Sequence, residues 1–170
     1  MIKSVIAMFS VFLFCVPDFL FSDENTPIGQ KRELLAFSNL LTSEGSTGCP
    51  SSQSIKLINT GSALRESFKE LYECSAQSYS RVEPPNIDLT NGVAVLLDMG
   101  IQGSLGHYIT AIRVTKYDGN FYLTFATLEP GEGCWAAAQM QRPFQLIYIE
   151  EKIDFLNTRH VRGFESCADQ

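Results

Sequence analysis

The sequence predicts an α+β domain, mainly antiparallel β-sheet in a sandwich-like arrangement, with one or two helices near the N-terminal half. Three observations carry that expectation. Residues 92–126 and 144–149 form strand-like runs, most of them alternating with a period of two. Turn signals separate these runs at hairpin spacing, Asp118-Gly119 being the clearest. An earlier window instead places Leu64, Phe68, Leu71 and Tyr72 at i, i+4, i+7 and i+8, one face of a helix. A strand, a helix and then a series of antiparallel strands fit packed layers around one core.

The elements follow in order. Leu34, Leu35, Phe37, Leu40 and Leu41 suit a helix or a strand equally well, and a Gly/Ser/Pro cluster from Ser43 to Pro50 ends that stretch in a loop. Ser54–Ile58 reads as a short strand, and Ser62 as the N-cap of the helix that follows. Arg81–Asn86 contains Pro84 and Pro85, which exclude both a helix and a central strand. Val93, Val95, Leu97 and Met99 alternate with Ala94, Leu96 and Asp98, giving a strand buried on both faces. A glycine-rich turn, residues 100–106, leads into a strand through Tyr108, Thr110, Ile112 and Val114. After the Tyr117–Asn120 hairpin, Phe121, Leu123 and Phe125 mark the return strand. Glu129–Gly133 is a further turn, Trp135–Met140 a weak strand and Phe144–Ile149 a strong one. Residues 151–170 read as a peripheral tail.

Composition restricts the function. The chain has 170 residues, 45% of them apolar, enough for one domain with a real core. Nineteen Asp and Glu against 13 Lys and Arg give a net charge of −6, which argues against nucleic acid or an anionic membrane as partner. Twelve Phe and six Tyr make the chain too aromatic to be disordered.

The first residues carry a compartment signal. Lys3 precedes an apolar run from Ser4 to Val16, and Ser22-Asp23-Glu24-Asn25 begins a polar stretch. That is the layout of a secretory signal peptide over residues 1–22, followed by a domain over 23–150. Pro17-Asp18 breaks the run well short of a membrane span, which takes ~20 apolar residues. An uncleaved leader would be the sole membrane attachment. Export makes Cys49, Cys74, Cys134 and Cys167 readable as two disulfides. Of three connectivities, Cys49–Cys74 with Cys134–Cys167 ties down one loop-rich and one terminal segment. The spacing lacks the close ligand pairs of a zinc site.

A catalytic set is not assembled in the sequence, and the chain reads as no enzyme, with no cofactor and no metal. Gln102-Gly103-Ser104-Leu105-Gly106 departs from a nucleophile elbow at its first position and leads into a strand, whereas the elbow opens a helix. The same absence of a helix removes the phosphate-loop reading of Gly100, Gly103 and Gly106. His107 reads as a loop or edge residue, and His160 lies in the polar tail. Glu150 and Glu151 point to opposite sides of a strand end. Trp135 is either a core aromatic beside Cys134 or an exposed anchor for a partner.

Several segments resemble the PrcB C-terminal domain family: Pro85-Asn-Ile-Asp88, Gly92–Gly100, Gly106-His-Tyr-Ile109, Glu129-Pro-Gly131 and Arg142-Pro-Phe144. The likeness covers residues 85–150. His107 occupies the place of a second glycine in the family's central turn, Leu105 stands where threonine is usual, and Gln141 departs from a common threonine. If that second glycine requires a positive φ, His107 is a costly occupant, unless the turn takes another shape. The resemblance implies an exported, non-catalytic accessory domain that binds or stabilises a protein such as a protease. On that expectation Gly103, Ser104, Gly106, His107, Tyr108 and Trp135 form the partner-binding set. The alternative is a protease inhibitor that presents the 100–108 turn to an active-site cleft.

Overall fold

Apolar periodicity is converted into three layers: a four-stranded sheet, a second four-stranded sheet, and one helix on the outside of the second. The computed structural model describes residues 32–43, 52–72, 83–134 and 136–165. The chain divides into two units, Met1–Gln30 and Lys31–Gln170, and every described residue belongs to the second. In chain order the elements are β1 (Glu33–Leu35), β2 (Phe37–Ser43), β3 (Ser54–Ile58), α1 (Gly61–Tyr72), β4 (Val93–Asp98), β5 (Tyr108–Tyr117), β6 (Asn120–Pro130), β7 (Phe144–Ile149) and β8 (Leu156–Glu165). The first sheet runs β1-β5-β6-β8 and the second β2-β7-β4-β3.

The open choice at residues 34–41 resolves as strand. Around Ala36 the chain passes from one sheet to the other, so that β1 pairs with β5 and β2 with β7. Every residue of β4 is buried, and the layers explain why. Val93, Val95 and Leu97 enter the core between the sheets with Val114, Leu123, Phe125, Ile147 and Ile149. Ala94 and Leu96 turn the other way, to meet Leu64, Phe68 and Leu71 of α1. A strand covered on both faces loses the apolar–polar alternation of a half-solvated one.

The helix is capped earlier than the sequence suggests. Thr60, not Ser62, is the N-cap: its Oγ1 accepts the Ala63 N–H at 3.2 Å, while its carbonyl accepts the Leu64 N–H at 3.0 Å. Ser62 is already inside the first turn, where its hydroxyl meets Thr60 Oγ1. The β5–β6 hairpin follows expectation. Asp118 (φ 49°) and Gly119 (φ 74°) both take the left-handed region, as a two-residue type I′ connection requires.

Two expectations are corrected. Residues 136–140 form no strand; the Ala136–Ala138 run offers little β propensity, and only Gln141 bridges to another segment, at Gln102. The C-terminal segment read as a tail contributes β8, ten residues paired in parallel with β6 from Phe121↔Leu156 to Pro130↔Glu165. A parallel neighbour needs a crossover, and β7 supplies it by carrying the chain through the second sheet and back. Ile153 is buried in the core on that return, although most β8 side chains stay exposed.

Candidate functional site

The strand β4 ends on a buried acid. Asp98 lies within an apolar run, 2% exposed, and meets Arg142, 4% exposed, just before β7. Arg142 Nη2 donates to Asp98 Oδ2 at 2.6 Å and Nε to Oδ1 at 3.2 Å, a two-pronged guanidinium–carboxylate pair. Each member takes one further partner. Arg142 Nη1 donates to the Glu70 carbonyl in the last turn of α1, at 3.1 Å. Asp98 Oδ1 accepts the Gly100 N–H at 2.9 Å, which fixes the first bend of the glycine-rich turn. One ion pair therefore ties β4, β7, the helix and the candidate loop to each other.

From there the loop is laced to residues 137–143. Met99 N–H donates to the Pro143 carbonyl at 2.9 Å, and Gln102 and Gln141 exchange both backbone hydrogen bonds, at 2.8 and 3.1 Å. Leu105 N–H donates to the Ala137 carbonyl at 3.1 Å. Buried Gln141 also sends Nε2 to the His107 carbonyl at 3.1 Å, and Gln102 Nε2 reaches the Met99 carbonyl at 3.0 Å. The left-handed positions in this turn are Gly100 and Gly106, at φ 75° and 87°. His107 is not among them, so the turn differs in shape from one that needs two central glycines, and histidine is accommodated without that strain.

These bonds bring Gly103, Ser104, Gly106, His107 and Tyr108 together on one loop and strand start. Gly103 is exposed, and a Cβ there would meet nothing within 4 Å. Ser104 Oγ lies 3.1 Å from His107 Nε2. The other ring nitrogen, His107 Nδ1, is buried and has no hydrogen-bond partner among the described residues. Tyr108 is half-buried at the start of β5. Trp135 lies outside the described residues, although Ala137–Gln141 just beyond it runs along the loop.

His160 is far from this group in the sequence and on a different strand. On β8 its ring stacks on Phe125, with centroids 4.7 Å apart and planes 4° from parallel, and Nε2 meets Thr127 Oγ1 at 2.7 Å. Glu151 pairs with Lys116 of β5, which raises the Lys116 pKa, chiefly through that hydrogen bond. In the family-like lead-in, Asp88 accepts the Thr90 N–H at 2.8 Å, and its carboxyl is held below the usual range by its hydrogen bonds to Thr90. Of the cysteines, Cys49, Cys74 and Cys167 lie outside the described residues. Cys134 Sγ is 3.5 Å from the Glu165 carbonyl oxygen. Among the described residues no group of three or more His, Cys, Asp or Glu could hold a metal ion, and no helix is long and apolar enough to cross a membrane.

Sequence reasoning missed the residues that anchor the loop, Asp98, Gln102, Gln141 and Arg142, and Gln145, which bonds β5. A signal was present. A carboxylate inside a fully apolar strand needs a buried partner, and the Arg142-Pro-Phe triplet is the complementary feature. Gln145 has no such signal; its Oε1 accepts the Ala111 N–H at 2.6 Å, where a bulge between Ala111 and Arg113 leaves that donor out of the ladder. Comparison with protein families, with curated proteins and with solved structures finds no match for the chain.

Proposed function

We propose that this chain is an exported, non-catalytic accessory domain that binds a partner protein, with the 100–108 turn as its recognition surface. The observation that carries the reading is the lacing of a half-buried loop, exposed at Gly103, to buried Asp98–Arg142 beneath it and buried Gln141 beside it. A surface loop held in one conformation loses little entropy on binding, which is the physical use of such anchoring. Export rests on the leader-like residues 1–22. A protease as the partner rests on the family resemblance, whose Gly92–Gly100 and Arg142–Phe144 segments meet through that ion pair. The Cys134–Cys167 bridge also belongs to this proposal: Cys134 Sγ touches Glu165, two residues before Cys167 in sequence.

The test is an affinity pull-down of the secreted form from envelope and culture fluid of the source organism, with proteolysis assayed with and without the domain. The reading expects a co-purifying protease whose level or activity rises. A protease whose activity falls instead assigns the loop to inhibition. Two variants locate the surface. Gly103→Arg points into open space and is expected to keep the parental Tm while abolishing capture; Tyr108→Ala is expected to do the same. Capture retained by both variants removes the loop from recognition, and a lowered Tm for Tyr108→Ala alone makes that ring structural.

A further inference from the structure

We propose that the cleft between edge strands β3 and β8 takes an extended segment of a partner protein, one with alternating aliphatic side chains and a lysine or arginine. This surface uses different residues from the 100–108 turn and stands whether or not that turn recognises a partner. β8 ends the first sheet and β3 ends the second, and no described strand pairs with the outer edge of either. The cleft has a volume of about 330 Å³ and is lined by Ile55, Leu57, Asp154, Phe155, Leu156 and Thr158. Ile55, Leu57 and Leu156 also pack on the core between the sheets, so the cleft opens directly on it. Phe155 is 70% exposed at its mouth.

Backbone chemistry selects an extended guest. The outer N–H and C=O groups of a ten-residue edge strand are satisfied by water or by another strand. A guest adding to β8 would lie about 4.8 Å from it and direct every second side chain inward, over Ile55 and Leu57. Aliphatic residues at those positions complete the open side of the sandwich.

Charge selects the rest. Asp154 is the single charged residue lining the cleft and makes no ion pair among the described residues. Two cations of the first sheet are engaged elsewhere: Arg162 Nε meets Glu129 Oε1 at 3.1 Å, and Lys116 meets Glu151. With a chain charge of −6 as background, a cationic residue on the guest is the complement to Asp154. A second copy of β8 is a poorer occupant. Antiparallel self-pairing about its centre sets Arg159 against Arg162 of the other copy at two symmetric positions.

The experiment titrates the full-length protein into two fluorescein-labelled peptides, Lys-Thr-Val-Thr-Val-Thr, whose lysine shares a face with the valines, and the same peptide with Glu in place of Lys, and follows anisotropy. The lysine peptide is expected to bind about tenfold more tightly than the glutamate peptide. Asp154→Lys, at an exposed position, is expected to reverse that order, and Leu57→Lys to abolish binding. Hydrogen exchange with the lysine peptide bound is expected to gain protection within residues 156–165. No saturable binding of either peptide, an order unchanged by Asp154→Lys, or protection confined to other strands would overturn the proposal. A sedimenting dimer whose β8 is protected without peptide would overturn it in favour of a second copy. The Asp154 variant keeps the test decisive if Leu57→Lys fails to fold.

Discussion

Asp98 and Arg142 show how much one buried pair can organise. Both are almost wholly buried, so their desolvation is offset by the pair itself and by the further hydrogen bonds to Gly100 and Glu70. Removing one member leaves the other buried and uncompensated. Asp98→Ala is expected to cost about 3–5 kcal/mol by chemical denaturation. The double variant Asp98→Leu/Arg142→Leu is expected to recover most of that loss while loosening the loop, read as faster amide exchange over residues 99–107. A double variant as unstable as Asp98→Ala, or one with an unchanged loop, would show that the pair does not organise the loop. At the same scale Gly92 has a steric reason to be glycine: a Cβ there would lie 2.4 Å from both the Ile149 carbonyl oxygen and the Tyr148 hydroxyl.

Among the elements, α1 shows how tertiary packing outweighs local signals. Its sequence contains a good apolar face, but its cap is Thr60, two residues before the Ser62 expected from the sequence. Phe68, fully buried against the second sheet, with its ring 6.2 Å from that of Tyr72, carries most of the attachment. Phe68→Ala is expected to cost about 3–5 kcal/mol and Thr60→Ala about 1 kcal/mol, compared by urea denaturation. Equal losses would mean that the helix is held by its own ends and not by the sheet. The hairpin was legible because Asp118-Gly119 is a local rule with local causes. The register around Ile112 was not, since the bulge depends on Gln145 reaching across from the other sheet.

At the scale of the molecule, the sandwich has unequal edges. β4 lies between two layers, whereas β8 is covered along one edge by β6 and leaves the other open among the described residues. Amide exchange is therefore expected to be slowest in β4 and β7 and markedly faster in β8, because opening an edge strand exposes little of the core. Protection of β8 equal to that of β4 in the isolated protein would show the edge to be occupied already. The two surfaces proposed for partners then differ in origin, the loop being held by buried anchors and the cleft lying between strand edges that no described strand pairs with.

By itself the sequence determined the strand-rich class, an amphipathic helix through Leu64, Phe68, Leu71 and Tyr72, the Asp118-Gly119 hairpin and the doubly buried strand that begins at Val93. Each follows from periodicity or from the φ preferences of one or two residues, which act over a few positions of chain. Only the tertiary structure decided that residues 34–41 are strands in two different sheets, that residues 156–165 return parallel to β6, and that Asp98 meets Arg142. Those outcomes depend on which surfaces remain unburied once the other elements are in place. Partners 35 to 44 residues apart, such as β6 and β8 or the ion pair, leave no periodic trace in the segments that form them.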